Sequence, residues 1–223
     1  MRRSGVLRTA SRALVAAGIA VTLVACASSA KGSTSSSGTP LSVGSGTPLD
    51  ALLLHDADLA SIPGAHTTAL HDLALYEDPD PRTPCGRPTH APDFSNGAGI
   101  GIQSDSVAGA ELLARLAAGA ANAYVDSLAA DAHVGCAPYD STTNTGSRQT
   151  VTLKAAVTLN GIGERALALV ESITNAGHTA IATEILVARN GVLAFLVVFG
   201  GEPLTPDVAR SVAQRVDARL AGG

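Results

Sequence analysis

A chain of 223 residues with 15 basic and 19 acidic side chains, a formal charge of −4, no tryptophan and 3% aromatic residues already excludes several functions. A nucleic-acid partner calls for a basic face that neutralises phosphates, and this chain is acidic. Sites that stack sugars or single strands need aromatic platforms, for which the side chains are scarce here.

The first twelve residues carry Arg2, Arg3, Arg8 and Arg12 and no acid, and Ala13 to Ala25 then runs apolar apart from Gly18 and Thr22. A membrane-spanning helix needs about 20 apolar residues, whereas this run has roughly 13 and ends at a cysteine, the layout of a signal peptide. The junction Leu23-Val24-Ala25-Cys26 resembles the lipobox of bacterial lipoproteins. That resemblance implies a diacylglycerol on the Cys26 thiol and cleavage just before it, so that residues 1–25 are removed. Four arginines leave with the peptide, and 11 basic residues then face 19 acidic ones, a net charge of −8. Such a domain is not drawn to anionic lipid. Its expected membrane partner is reached through the anchor, whose two acyl chains meet the two-signal requirement for stable attachment. The expected location is the extracytoplasmic side of the cell membrane.

Residues 26–47 form the lipidated cysteine and a tether of Ser, Thr and Gly with one charge, Lys31. As a flexible coil of about 5 to 6 Å times the square root of its length, it holds the domain about 25 Å from the membrane. Residues 48–223 suffice for one domain with a core of its own. Thr47-Pro48-Leu49-Asp50 has the order of N-cap, N1 proline and early acid, which predicts a helix to about Ala60. Pro63-Gly64 ends it.

Five prolines between Pro79 and Pro92 forbid regular structure around Cys85. Once Cys26 is acylated, Cys85 and Cys136 are the two cysteines left in an oxidising compartment, and they are expected to pair. Closing a loop of about 50 residues contributes on the order of 4 kcal/mol in the chain-entropy model. The alternative is a pair of free or metal-binding thiols. Neither cysteine has a second cysteine or a close histidine in zinc-like spacing, which favours the bridge.

Gly97 to Gln103 reads as a short strand. Val107 to Leu128 places Leu112, Leu113, Leu116, Ala120, Tyr124 and Leu128 at helical spacing behind Asp105 and Ser106, and this predicts the longest helix. Arg148 to Leu159 reads as a strand, and Arg165 to Ile173 as a strand or a helix. Ala180 to Arg189 and Val192 to Phe199 flank Asn190-Gly191, the signature of a hairpin with a type I′ turn. The second of these strands is apolar on both faces and is expected at the centre of a covered sheet. Thr205-Pro206-Asp207 opens a closing amphipathic helix through Val208, Val212, Val216 and Leu220.

Leu52-Leu53-Leu54 with Leu59 and Pro63-Gly64, Pro84-Cys85, an Ala-rich helix ending near Cys136 and the Ile185 to Phe199 hairpin before a terminal helix together resemble a known family. It is the extracellular sensor-type domain of actinobacterial receptor serine/threonine kinases (PknH-type), also found as free-standing lipoproteins. The likeness spans roughly Leu49 to Gly223. It implies an α/β (α+β) fold, with helices packed on a largely antiparallel sheet, and a cleft for an unidentified ligand. Many members carry two disulfides and conserved tryptophan, and this chain departs on both counts. No kinase segment is present.

Residues with chemical potential are sparse. Leu54-His55-Asp56 and Leu70-His71-Asp72 are two His-Asp steps with His66 between them, but neighbours in sequence point in different directions. They read as ordinary polar groups in contact with solvent, as does His178 at the start of a strand. No serine sits in a Gly-x-Ser-x-Gly elbow. In Gly97-Ala98-Gly99-Ile100-Gly101 the third glycine is misplaced for Gly-x-Gly-x-x-Gly and no Lys-Ser/Thr follows, so the segment reads as a flexible strand edge. Glu164, Arg165, Glu171 and Glu184 read as isolated charges on solvated faces.

No catalytic residue, metal or cofactor is therefore expected. The reading that remains is a non-enzymatic lipoprotein whose cleft binds a small or envelope-derived ligand, or docks a partner protein, in a sensor-like role. A lipid or glycolipid carrier is the alternative, motivated by high apolar content with few aromatics. A hydrolase or metal-dependent enzyme around His55, His66 and His71 comes third.

Overall fold

Asn190 and Gly191 adopt the positive φ angles, 52° and 72°, that a tight hairpin turn demands. From that turn the protein builds outward. The computed structural model describes residues 47–70, 73, 80–143 and 146–222. Cys26 and the segments before and after it lie outside these residues, as do His71 and Asp72.

In chain order the strands are β1 His66–Ala69, β2 Ala98–Gln103, β3 Val107–Arg115, β4 Tyr139–Thr142, β5 Arg148–Thr158, β6 Arg165–Asn175, β7 His178–Arg189 and β8 Val192–Gly200; the helices are α1 Ala120–Asp131 and α2 Pro206–Ala221. They form one eight-stranded antiparallel sheet in the order β1-β2-β3-β8-β7-β6-β5-β4. Two meanders, β1 to β3 and β4 to β8, run inward from opposite edges. They meet where Val107↔Gly200 through Arg115↔Val192 pair β3 with β8. The fold class is α+β, as expected.

Both faces of the sheet are covered. On one, Ala209, Val212, Ala213, Val216 and Leu220 of α2 pack with Leu113, Ile185, Val187 and Leu196 of the strands and with the segment Leu52–Ile62. On the other, Ala121, Val125 and Leu128 of α1 pack with Leu112, Leu167, Leu169, Leu186 and Leu193, and Phe94 lies 6.4 Å from Phe195. β8 is thus the central, twice-covered strand that its apolar run predicts.

The helix expected over Val107 to Leu128 is two elements. Its first half is β3, and α1 begins only at Ala120 after the left-handed Gly119, φ 77°. Ser104 Oγ accepts from the amides of Ser106 and Val107, and Ser104 N donates to Val107 O, so the presumed cap is a hairpin turn that feeds β3. A strand buried on both faces shows no alternation. The leucine spacing that mimicked a helix serves both faces of the sheet, Leu113 on the α2 side and Leu112 on the α1 side.

Two further expectations change. The first helix is a pair of single 3-10 turns, Leu49–Leu52 and Asp56–Leu59, because Leu53 is extended and Leu54 N leaves the helical pattern to bond a side chain of the sheet. The glycine-rich segment is β2, an interior strand between β1 and β3. There a Cβ on Gly101 would come within 2.2 Å of Thr68 Oγ1, so the glycine permits close approach of β1. Arg165 to Asn175 is strand throughout.

At the other edge, β4 pairs only with Arg148 to Val151 of β5, and the register shifts between Leu153 and Ala155. This bulge leaves Lys154 exposed. No described helix is long and apolar enough to cross a membrane.

Candidate functional site

Three distant segments converge at the start of α2. Thr205 caps the helix, its Oγ1 accepting from Val208 N at 3.4 Å, and Pro206 fills the first turn where an amide would be idle. The linker from β8 is pinned by Leu204 N donating to the buried Thr183 Oγ1 at 3.0 Å. Opposite it stand the turn Ser61-Ile62-Pro63 and the start of β3, Ser106-Val107. Between them lies a cleft of about 400 Å³, within the range of small-molecule sites.

Ile62, Pro63, Val107, Pro203, Leu204 and Val208 make its walls apolar, and Ser61, Ser106, Glu202 and Thr205 contribute polar groups. Ser61 Oγ is buried and has no hydrogen-bond partner among the described residues.

The residues singled out from sequence lie elsewhere. His55 and His66 are exposed and both favour the ionised form of Asp56, but Asp56 Oδ1 is already engaged by Thr67 N at 2.6 Å and Thr67 Oγ1 at 2.8 Å. Those two hydrogen bonds are the larger cause of its lowered pKa. His178 is exposed beside the β6–β7 turn. Cys85 and Cys136 are disulfide-bonded, and the bridge ties the end of α1 to the proline-rich loop. Glu164 accepts from Asn122 Nδ2 at 2.6 Å and from Asn190 N at 2.9 Å, which holds its carboxyl below the usual range. Arg165 pairs with Asp126 at 2.8 Å. These two tie turns to α1.

Glu171 overturns the reading of a solvated charge. It is 6% exposed, and burial followed by the nearby Glu184 raises its pKa well above that of a free glutamate. Leu169 faces Glu184 and Glu171 faces Ala182 across β6 and β7, so the two acids are diagonal neighbours on the α1 face. Glu111, not singled out from sequence, is fully buried under the other face. Burial pushes it up to about 8, against the opposing hydrogen bond that Leu54 N donates to its Oε2 at 2.8 Å. Asp58 and Arg219, joined at 2.6 Å, stand nearby. Neither acid lines the cleft.

No family model matches the chain, and no curated protein is significantly similar to it in sequence. A solved structure is similar in outline. It is the extracellular domain of PknH from Mycobacterium tuberculosis, 18% identical, aligned over 78% of this chain and 95% of that one with a TM-score of 0.46.

Proposed function

We propose that the protein is an exported lipoprotein, anchored through Cys26, whose domain binds a small and largely apolar ligand in the cleft at the start of α2, in a non-enzymatic, sensor-like role. The cleft carries this reading. Apolar walls interrupted by the polar residues Ser106, Glu202 and Thr205 suit recognition of a compact hydrophobic molecule that bears a hydrogen-bonding group. No nucleophile with an oriented base is seen among the cleft's polar residues, which supports binding over catalysis. The size, about 400 Å³, suits one small molecule better than the two long chains of a carried lipid.

Native mass spectrometry of the full-length protein purified from its own envelope tests the reading. A stoichiometric adduct of one small molecule is expected, and it should be lost from Pro203→Arg, which places a charge at the mouth without touching the core. Protein free of adduct from the native envelope, or an adduct unaffected by Pro203→Arg and by Ser61→Val, would show that the cleft is not the site.

A further inference from the structure

The disulfide has a third member. His133 follows α1 by two residues, and its Nδ1 lies 3.5 Å from Cys85 Sγ while donating to the backbone oxygen of Asp131 at 2.8 Å. The two sulfurs and a ring nitrogen of His133 all lie within 4.8 Å of one another, the only such group of potential metal ligands among the described residues. His133 is exposed and both cysteines are partly so. A cation can reach all three.

We infer that this cluster is a redox-gated metal site: the bridge closes it, and reduction opens a two-thiolate, one-imidazole site for a thiophilic divalent cation, with zinc as its type. Thiolate and imidazole are the donors that select such cations, and three protein ligands with water in the fourth position make a recurrent tetrahedral arrangement. His133-x-x-Cys136 delivers two ligands from one turn, closed by Cys136 N donating to His133 O. Cys85 comes from the other side, out of a turn closed by Gly86 N to Thr83 O at 2.8 Å and Thr83 N to Arg87 O at 2.8 Å.

The bridge is not the framework's only tie. Asp131, buried at the end of α1, accepts from Cys85 N at 3.2 Å and pairs with Arg87, so the proline-rich loop is bound to α1 by polar contacts beside the sulfurs. The Cα atoms of Cys85 and Cys136 stand 5.6 Å apart. With zinc–sulfur bonds of about 2.3 Å, two thiolates on one ion sit roughly 3.7 Å from each other, a separation that side-chain rotation provides without moving these backbones. His133 Nδ1, the nitrogen nearest Cys85 Sγ, donates to Asp131 O in the oxidised protein, so binding a cation there exchanges that hydrogen bond for the metal bond while the imidazole proton moves to Nε2.

The chemistry balances with a dithiol as reductant. Its thiolate attacks one sulfur, the mixed disulfide resolves internally, and the reductant leaves as its own disulfide; two electrons and two protons have passed to Cys85 and Cys136. Zinc then displaces the two thiol protons, so uptake is linked to proton release. Oxidation by a disulfide reverses the sequence and expels the ion.

The test uses the full-length protein, reduced with a dithiol, separated from it under anaerobic conditions and titrated with zinc against a chromophoric chelator. One equivalent is expected to bind in the reduced protein and none in the oxidised protein, and a disulfide oxidant should release it to the chelator. Cobalt in place of zinc should give thiolate-to-metal charge-transfer absorption. His133→Ala keeps the bridge and should weaken zinc binding at least about tenfold, since even outer-sphere partners of metal sites are worth that much. Circular dichroism accompanies each step. Reduced protein that loses its secondary structure and does not regain it with one equivalent of zinc, zinc bound equally by oxidised protein, or His133→Ala binding as tightly as the parent would each overturn the assignment.

Discussion

The two faces of the sheet are held by different means. α2 is encoded locally: a side-chain cap, proline in its first turn, an acid at its start and Arg219 near its end, with a stripe of valine and alanine facing the strands. α1 has no side-chain cap and no charge in its first or last turn to complement its dipole. It begins at a left-handed glycine, and what secures it is tertiary: the disulfide, the Asp131 contacts and the Arg165–Asp126 pair. A helix of the first kind folds with its sheet, whereas one of the second kind waits for distant partners.

Breaking the bridge should separate the faces most. Cys85→Ser is expected to cost on the order of 4 kcal/mol, and hydrogen exchange should accelerate across α1 and the proline-rich loop while α2 keeps its protection. Uniform acceleration in both helices would show that the faces are not independent. Next come two leucines of β8 that are fully buried on opposite sides, Leu193 toward α1 and Leu196 toward α2. Each truncation to alanine should cost about 3 kcal/mol by denaturant melts, with Leu193→Ala loosening α1 selectively and Leu196→Ala lowering the whole transition.

Glu111 gives the α2 face a dependence on pH. Its folded pKa is raised to about 8, so the native state holds a proton that the unfolded chain releases near 4.5. Stability from this group therefore falls as pH rises from about 4.5 to 8. Asp58 works in the opposite sense lower down: burial resists its charge, but hydrogen bonds from His55 N and Arg219 prevail and lower its pKa, so its contribution is lost on acidification. Glu111→Gln should flatten the upper limb and raise stability at pH 9 by on the order of 2 kcal/mol, measured by melts across pH. The smallest effect is expected from Thr205→Ala, about 1 kcal/mol through loss of the α2 cap.

What the sequence made legible follows the same division. The β7–β8 hairpin, β5 and α2 each carry local chemistry, Asn190-Gly191, β-branched residues and Thr205-Pro206, that fixes them wherever they sit. β3 does not. Its Leu112, Leu113 and Arg115 match a helix as well as a strand, and only pairing with β2 and β8 decides. The Cys85–Cys136 bridge was legible by counting, and so was His133, three residues before Cys136, though its approach to Cys85 across 48 residues of chain was not. The cleft left no motif, since segments around Ser61, Ser106 and Leu204 meet only after folding. Glu171 and Glu111 were hidden for the same reason, as a charge reads as exposed until a sheet encloses it.

The bulge at Lys154 bears on how the open edge of the sheet behaves under crowding. Beyond Val151, β5 has no strand on its outer side among the described residues, an open row of amides and carbonyls of the kind that recruits a strand from another molecule. Sheets with an open edge meet edge to edge far more often at high concentration than in dilute solution. The bulge twists the exposed edge out of register, and the lysine ammonium would have to be desolvated for a second sheet to dock there. A bulge and a lysine on an open strand are among the devices by which natural sheets blunt pairing between edges.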